Sequence, residues 1–218
     1  MNQFVLKTCS PELELREEKV NAITHVAGIL FGIVSVPFLI LNACKTCGHY
    51  VIAGISLYGL SFLMVFTFST LFHLQREGGK TRQLFKILDH ISIYFFIAGT
   101  YTPFILIFVN NSFGLTLLAV LWTLALAGTV FKSFYCGRFE IISTIIYLAM
   151  GWMLLTGADA FFAKMPSSVM WLIIAGAILF TVGVVFYIWR WFVYHHAVWH
   201  VLVLAGAICH YVAVLKAV

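Results

Sequence analysis

Charge is what this sequence has least of. Of 218 residues only 10% are Asp, Glu, Lys or Arg, against about 25% in an ordinary soluble domain. Hydrophobic residues make up 62%. A soluble fold of this length has too high a surface-to-volume ratio to hide so much apolar surface, whereas a bilayer acts as the apolar solvent. Long polar linkers, low-complexity tracts, soluble-domain stretches and internal repeats are also missing, so the composition implies one membrane domain with short connections. The net charge of +5 carries no nucleic-acid signal, because the basic residues sit between apolar runs, where headgroups and cytoplasm meet them. A cleavable signal is not expected either. The first 19 residues are polar and mixed, with Glu12, Glu14, Glu17 and Glu18. The apolar run that follows is too long for a signal core and lacks a small-residue cleavage site.

A helix crossing the hydrocarbon core needs about 20 mostly apolar residues. Seven such runs stand at roughly 22–43, 50–73, 88–109, 113–131, 140–158, 168–189 and 196–215. Runs of this length exceed the alternating segments of a membrane barrel. The expected fold is therefore an all-α, seven-transmembrane-helix bundle over 20–218, with 1–19 as an N-terminal segment. Orientation follows from Lys and Arg. With the N-terminus cytoplasmic, Lys7, Arg16, Lys19, Arg76, Lys80, Arg82, Lys86, Lys132, Arg138 and Arg190 lie inside, and only Lys45, Lys164 and Lys216 lie outside. Seven spans then place the C-terminus outside. The connection between the last two runs, Trp189 to Tyr194, is tight and aromatic, as in an interface belt.

Ionisable groups within spans are costly and mark functional sites by default. Acids are few here, but histidines number eight. His196 and His200 stand four apart and project from one helical face, so both imidazoles can reach one metal. Taken alone, the pair is equally open to imidazoles that bond neighbouring helices or sit at headgroup level. Ser69 and His73 are also four apart, at the end of the second run, and Asp89-His90 begins the third. In the N-inside topology these clusters share one cytoplasmic depth, although only Lys and Arg fixed that topology. Three neutral imidazoles plus water make the open, catalytic type of zinc site. Imidazole suits copper, nickel and iron as well. Cys9, Cys44, Cys47, Cys136 and Cys209 are too scattered for a closed structural site. Cys44 and Cys47 could pair in an oxidising compartment, or be two unrelated small residues near a helix end. His25 and His210 are read as buried imidazoles bonded to neighbouring helices, His49 and His195 as near water, and Glu140 and Asp159 as solvated near span ends. Gly54 and Gly59 suit helix packing within the chain or between subunits.

Three motifs carry a family resemblance: Glu18-x-x-Asn21-x-x-x-His25-x-x-Gly28; Ser69-x-x-x-His73 followed by Asp89-His90-x-x-Ile93-Tyr94 and Ile97-Ala98-Gly99-Thr100-Tyr101-Thr102-Pro103; and His196-x-x-x-His200 followed by Val203, Gly206 and His210-Tyr211. Across about 17–215 the chain resembles the bacterial hemolysin III group within the progestin and adipoQ receptor family. The resemblance implies seven helices with the N-terminus inside and zinc held by positions matching His73, His196 and His200. It implies an aspartate, Asp89, at the metal or its water and the family's serine at Ser69, the two catalytic candidates, with Ser69 bonding Asp89 or a developing oxyanion, and residence in a bacterial inner membrane. It also places the chain near membrane ceramidases, in a proposed superfamily of zinc-dependent amide hydrolases. The expected partners are membrane lipids and a lipid-like substrate on the inner-leaflet side. Two function classes follow: a zinc hydrolase of lipid-like amides, and a non-enzymatic sensor of membrane state with structural zinc. A pore-forming cytolysin, as the family name suggests, would need export and a water-soluble form, which the hydrophobic chain does not suit. Ion transport lacks the usual charged pathway.

Overall fold

The computed structural model describes residues 11–76, 78–157, 163–189 and 192–218. Lys7, Cys9, Asp159 and Arg190 fall outside them. Seven helices are long and apolar enough to cross a membrane, and no strand occurs among the described residues. The helices are α1 (Pro11–Thr46), α2 (His49–His73), α3 (Lys80–Phe108), α4 (Ser112–Tyr135), α5 (Glu140–Gly151), whose span continues through a 3₁₀ turn to Gly157, α6 (Ser167–Ile188) and α7 (His195–Ala217).

The apolar runs become helices because a chain in lipid must satisfy its backbone internally. α1 runs beyond its expected span. Pro11 opens it, where a missing N–H costs nothing, and Glu12 and Glu14 meet the positive end of the helix dipole. Its 36 residues reach about 54 Å, well past a hydrocarbon core of about 30 Å. The polar turns from Glu12 to Lys19 are therefore a helical extension, continuous with the span across the boundary drawn at residue 19.

α5 differs in the other direction. The apolar run at 140–158 suggests one span, but the α-helix stops at Gly151 and resumes as a 3₁₀ turn over Met153–Gly157. Tyr101 explains the break. Its hydroxyl donates to the Gly151 carbonyl at 2.7 Å and accepts from the Leu154 N–H at 3.0 Å, so a side chain enters the helical ladder.

α3 is the most enclosed helix. It packs on α2, α4, α5 and α7, while α1 joins α2 to α7, and α6 lies along α7. α5 touches α3 and α6 only sparsely. Close approach depends on glycine in places. A Cβ on Gly99 would lie 2.3 Å from Ser61 Oγ, and one on Gly28 would strike the Phe66 ring. Gly54 faces Leu106 and Thr102, and Gly59 faces Val36, so both glycines serve packing within the chain. The core between the helices is aromatic, with Tyr58, Phe62, Phe66, Tyr94 and Phe96 buried.

Candidate metal centre

His73 ends α2, while His196 and His200 lie on the first turns of α7. One ligand nitrogen from each lies within 4.8 Å of the other two. His73 and His200 are buried and His196 is half-buried. The ring centroids stand 5.3, 4.9 and 4.4 Å apart. The three rings are close enough to be candidate ligands of one ion.

Their other partners suit metal binding. His73 Nδ1 lies 2.5 Å from Glu18 Oε2. Donation from Nδ1 leaves Nε2 as a bare lone pair, and that Nε2 is buried with no hydrogen-bond partner. An orphaned acceptor aimed among imidazoles is what a cation would satisfy. Glu18 is held in turn by Arg82, at 2.7 Å, and the Arg82 guanidinium also donates to the Gln75 carbonyl and covers the Phe72 ring. His200 Nδ1 faces the Asn21 carbonyl at 3.3 Å, with the Thr24 hydroxyl at the same distance. Its Nε2 is thereby the edge left for a ligand role. One turn of α1 thus orients both His73 and His200.

Asp89, at the start of the buried part of α3, is half-buried. With Ser69 of α2 and His73 it lines one cavity. A cavity of about 480 Å³ joins these groups. Glu14, Glu17, Glu18 and Lys86 stand at its polar end, beside the histidines. Val65, Phe96, Ile97, Phe180 and Val203 make the remainder apolar, and it reaches His210. The ten residues from His200 to His210 correspond to about 15 Å along α7. This is the size and character of a small-molecule pocket, with a few convergent polar groups at one end of an apolar slot.

All five residues singled out in the sequence, Ser69, His73, Asp89, His196 and His200, therefore line one cavity. Other expectations change. Glu140 is half-buried rather than simply solvated, and pairs with Lys132 and His90. His25 is buried, but both its ring nitrogens lack partners. It packs edge-on against His200, with centroids 3.9 Å apart, because its turn of α1 faces imidazole and Phe66 rather than a carbonyl. His210 does bond a neighbouring helix, through Nε2 to the Ile173 carbonyl at 3.1 Å. His49 is exposed, whereas His195 is half-buried with Nδ1 facing the Phe186 carbonyl. Cys44 and Cys47 are unpaired thiols. The start of α7 is strained: Tyr194 is left-handed at φ 68°, and its N–H is held by Glu17 Oε1 at 2.6 Å. The sequence reading missed Glu17, Glu18 and Glu140 as parts of this end of the bundle. Glu18 was visible only as the first residue of a motif.

Comparison with known proteins finds relatives matched over most of their own length. The family model described as haemolysin-III related matches residues 13–211. The chain is 40% identical over 201 residues to the hemolysin-3 homolog of Bacillus subtilis (strain 168), covering 92% of this chain and 94% of the relative. It is 39% identical over 201 residues to hemolysin-3 of Bacillus cereus, covering 92% and 91%. It is 26% identical over 205 residues to the human monocyte to macrophage differentiation factor, covering 92% and 84%. No solved structure matches the chain.

Proposed function

The chain belongs to the haemolysin-III-related family of multi-pass membrane proteins, and on that premise we propose that it is a zinc-dependent hydrolase of lipid-like amides serving membrane lipid homeostasis. The observation that carries the reading is the single cavity in which three imidazoles, a carboxylate and a hydroxyl meet an apolar slot. His73, His196 and His200 would hold the ion. The buried, unpartnered His73 Nε2 and the all-imidazole donor set fit zinc. Zinc bound there would supply Lewis-acid polarisation of a carbonyl and activation of water near neutral pH. Asp89 accepts the proton of the attacking water and returns it to the leaving nitrogen, so that amide and water become carboxylic acid and amine. Ser69, which lines the same cavity, would orient the Asp89 carboxylate or donate to a developing oxyanion. Val65, Phe96, Phe180 and Val203 hold an acyl chain and keep bulk water from it.

The Lys and Arg distribution supports an N-terminus inside and this end of the bundle at the cytoplasmic face, and the Bacillus relatives support a bacterial inner membrane as the setting. Lipid then arrives from the inner leaflet and water from the cytoplasm. A second reading, structural zinc in a membrane-state sensor, has its own support. Glu18 of α1, His73 of α2 and His200 of α7 are already linked, and an ion among them would staple three helices.

The deciding experiment reconstitutes zinc-loaded protein in vesicles containing acyl-labelled N-acyl lipids and measures released fatty acid, with His200→Ala and Asp89→Asn beside it. Release that depends on both residues supports the hydrolase. Zinc retained at about one per chain with no release from any N-acyl lipid leaves the structural reading and removes the hydrolase.

A further inference from the structure

The apolar slot does not end on an apolar wall. Its far end is lined by His210 of α7, Thr100 and Tyr101 of α3, Trp152 at the α5 break and Thr181 of α6. Every polar hydrogen on these side chains is already spent. The Thr100 hydroxyl donates to the Phe96 carbonyl and the Thr181 hydroxyl to the Ala177 carbonyl, each at 2.7 Å. The Tyr101 hydroxyl donates to the Gly151 carbonyl, and the Trp152 indole N–H donates to Thr181 Oγ1 at 3.0 Å. His210 Nε2 lies 3.1 Å from the Ile173 carbonyl, which can only accept, so Nε2 carries the proton.

What remains at this end is lone pairs. An imidazole protonated at Nε2 keeps its acceptor at Nδ1, and His210 Nδ1 is buried without a partner. The Cδ2–Nε2 edge of the ring lies against α6, since a Cβ on Gly176 would sit 2.4 Å from both atoms. Nδ1 is the vertex opposite that edge, so it points away from α6 and into the bundle. Thr100 Oγ1, its hydrogen given to Phe96, is a second acceptor. A ligand carbonyl or carboxylate brought here would meet lone pairs, whereas a hydroxyl brings the missing donor. Depth narrows the ligand further. The stretch of α7 from His200 to His210 rises about 15 Å, and a zigzag carbon chain with bonds of about 1.5 Å advances about 1.25 Å per carbon. About twelve carbons therefore join a head at the histidine cluster to a group at His210.

We propose that His210 is a specificity-determining residue, whose Nδ1 accepts a hydrogen bond from a hydroxyl carried about twelve carbons along the acyl chain of a lipid-like ligand. The inference rests on the hydrolase reading for the placement of the ligand's amide head at the histidine cluster. Water is the competing donor, and a separate void of about 40 Å³ bordered by His210, Thr100 and Tyr101 has room for it.

The test is equilibrium binding to the full chain in nanodiscs, carrying Asp89→Asn so that no probe is consumed. The probes are neutral N-acylethanolamines with a dodecanoyl chain, an ω-hydroxydodecanoyl chain, or a chain of the same length ending in a methyl ketone. Affinities are expressed against the mole fraction of probe in the bilayer. The hydroxyl chain is expected to bind at least as tightly as the plain chain and about tenfold more tightly than the ketone. An ω-hydroxyoctanoyl probe, too short to reach His210, should gain nothing over octanoyl. His210→Leu should bring the hydroxyl chain down to the level of the ketone and leave the plain chain unchanged. A hydroxyl chain that binds no better than the ketone overturns the proposal, and no substitution at His210 is needed for that result. A plain chain that outcompetes both polar ones overturns it and leaves Nδ1 to water, and so does a chain that binds none of the probes. Fatty acid release by the wild type, measured separately, keeps the two claims apart. Hydroxyl preference in binding without release removes the hydrolase reading and keeps the role of His210; release with no hydroxyl preference does the reverse.

Discussion

Replacing Glu18 by Gln tests whether α1 takes part in metal binding. Gln keeps the shape of the side chain and one acceptor oxygen for His73 Nδ1, but removes the negative charge that shares His73 and Arg82. The hydrogen bond from His73 then becomes neutral and weaker, and the imidazole is a poorer donor to the ion through Nε2. Outer partners of this kind typically contribute 10–100-fold to metal affinity, about 1.4–2.8 kcal/mol. Arg82 keeps the Gln75 carbonyl and the Phe72 ring, so the fold should persist. The assay is competition for zinc against a chelator of known affinity, with helical circular dichroism as the control. Affinity reduced by about 10–100-fold with helicity unchanged is the expected outcome. Binding within about twofold of wild type in both Glu18→Gln and Glu18→Ala would refute the claim that Glu18 orients a ligand.

Three further outcomes follow from the same geometry. His200→Ala should take zinc from about one per chain to near none by elemental analysis, and unchanged metal would defeat the ligand set. Imidazoles must be neutral to bind metal, so acidification should release the ion with uptake of protons; an affinity that never weakens as pH falls, up to the point of unfolding, would contradict an all-histidine site. Tyr101→Phe strands the Gly151 carbonyl and the Leu154 N–H, which should cost about 1–3 kcal/mol in a thermal or denaturant assay while leaving zinc content unchanged.

The helix pattern could be read from the sequence because lipid permits few alternatives to a long apolar helix. His196 and His200 were legible for a similar reason: four-residue spacing fixes a shared face whatever surrounds it. His73, Ser69 and Asp89 needed the topology, which lysine and arginine supplied. What stayed hidden depends on partners distant in sequence. Glu18 falls in the polar N-terminal segment by sequence, and its role exists only because α1 is helical through that segment and lies beside α2. Glu140 looked solvated at a span end, since nothing local reveals that Lys132 is buried beneath it. Hydropathy at 140–158 could not show the break after Gly151, because a hydroxyl from α3 makes it.

Metal stoichiometry on chelator-free, purified protein tests the central claim most directly, measured beside the triple variant lacking His73, His196 and His200. The account predicts about one zinc per chain in the wild type and none in the variant. A wild type without metal, or a variant that keeps it, would contradict the account and leave only the seven-helix fold standing.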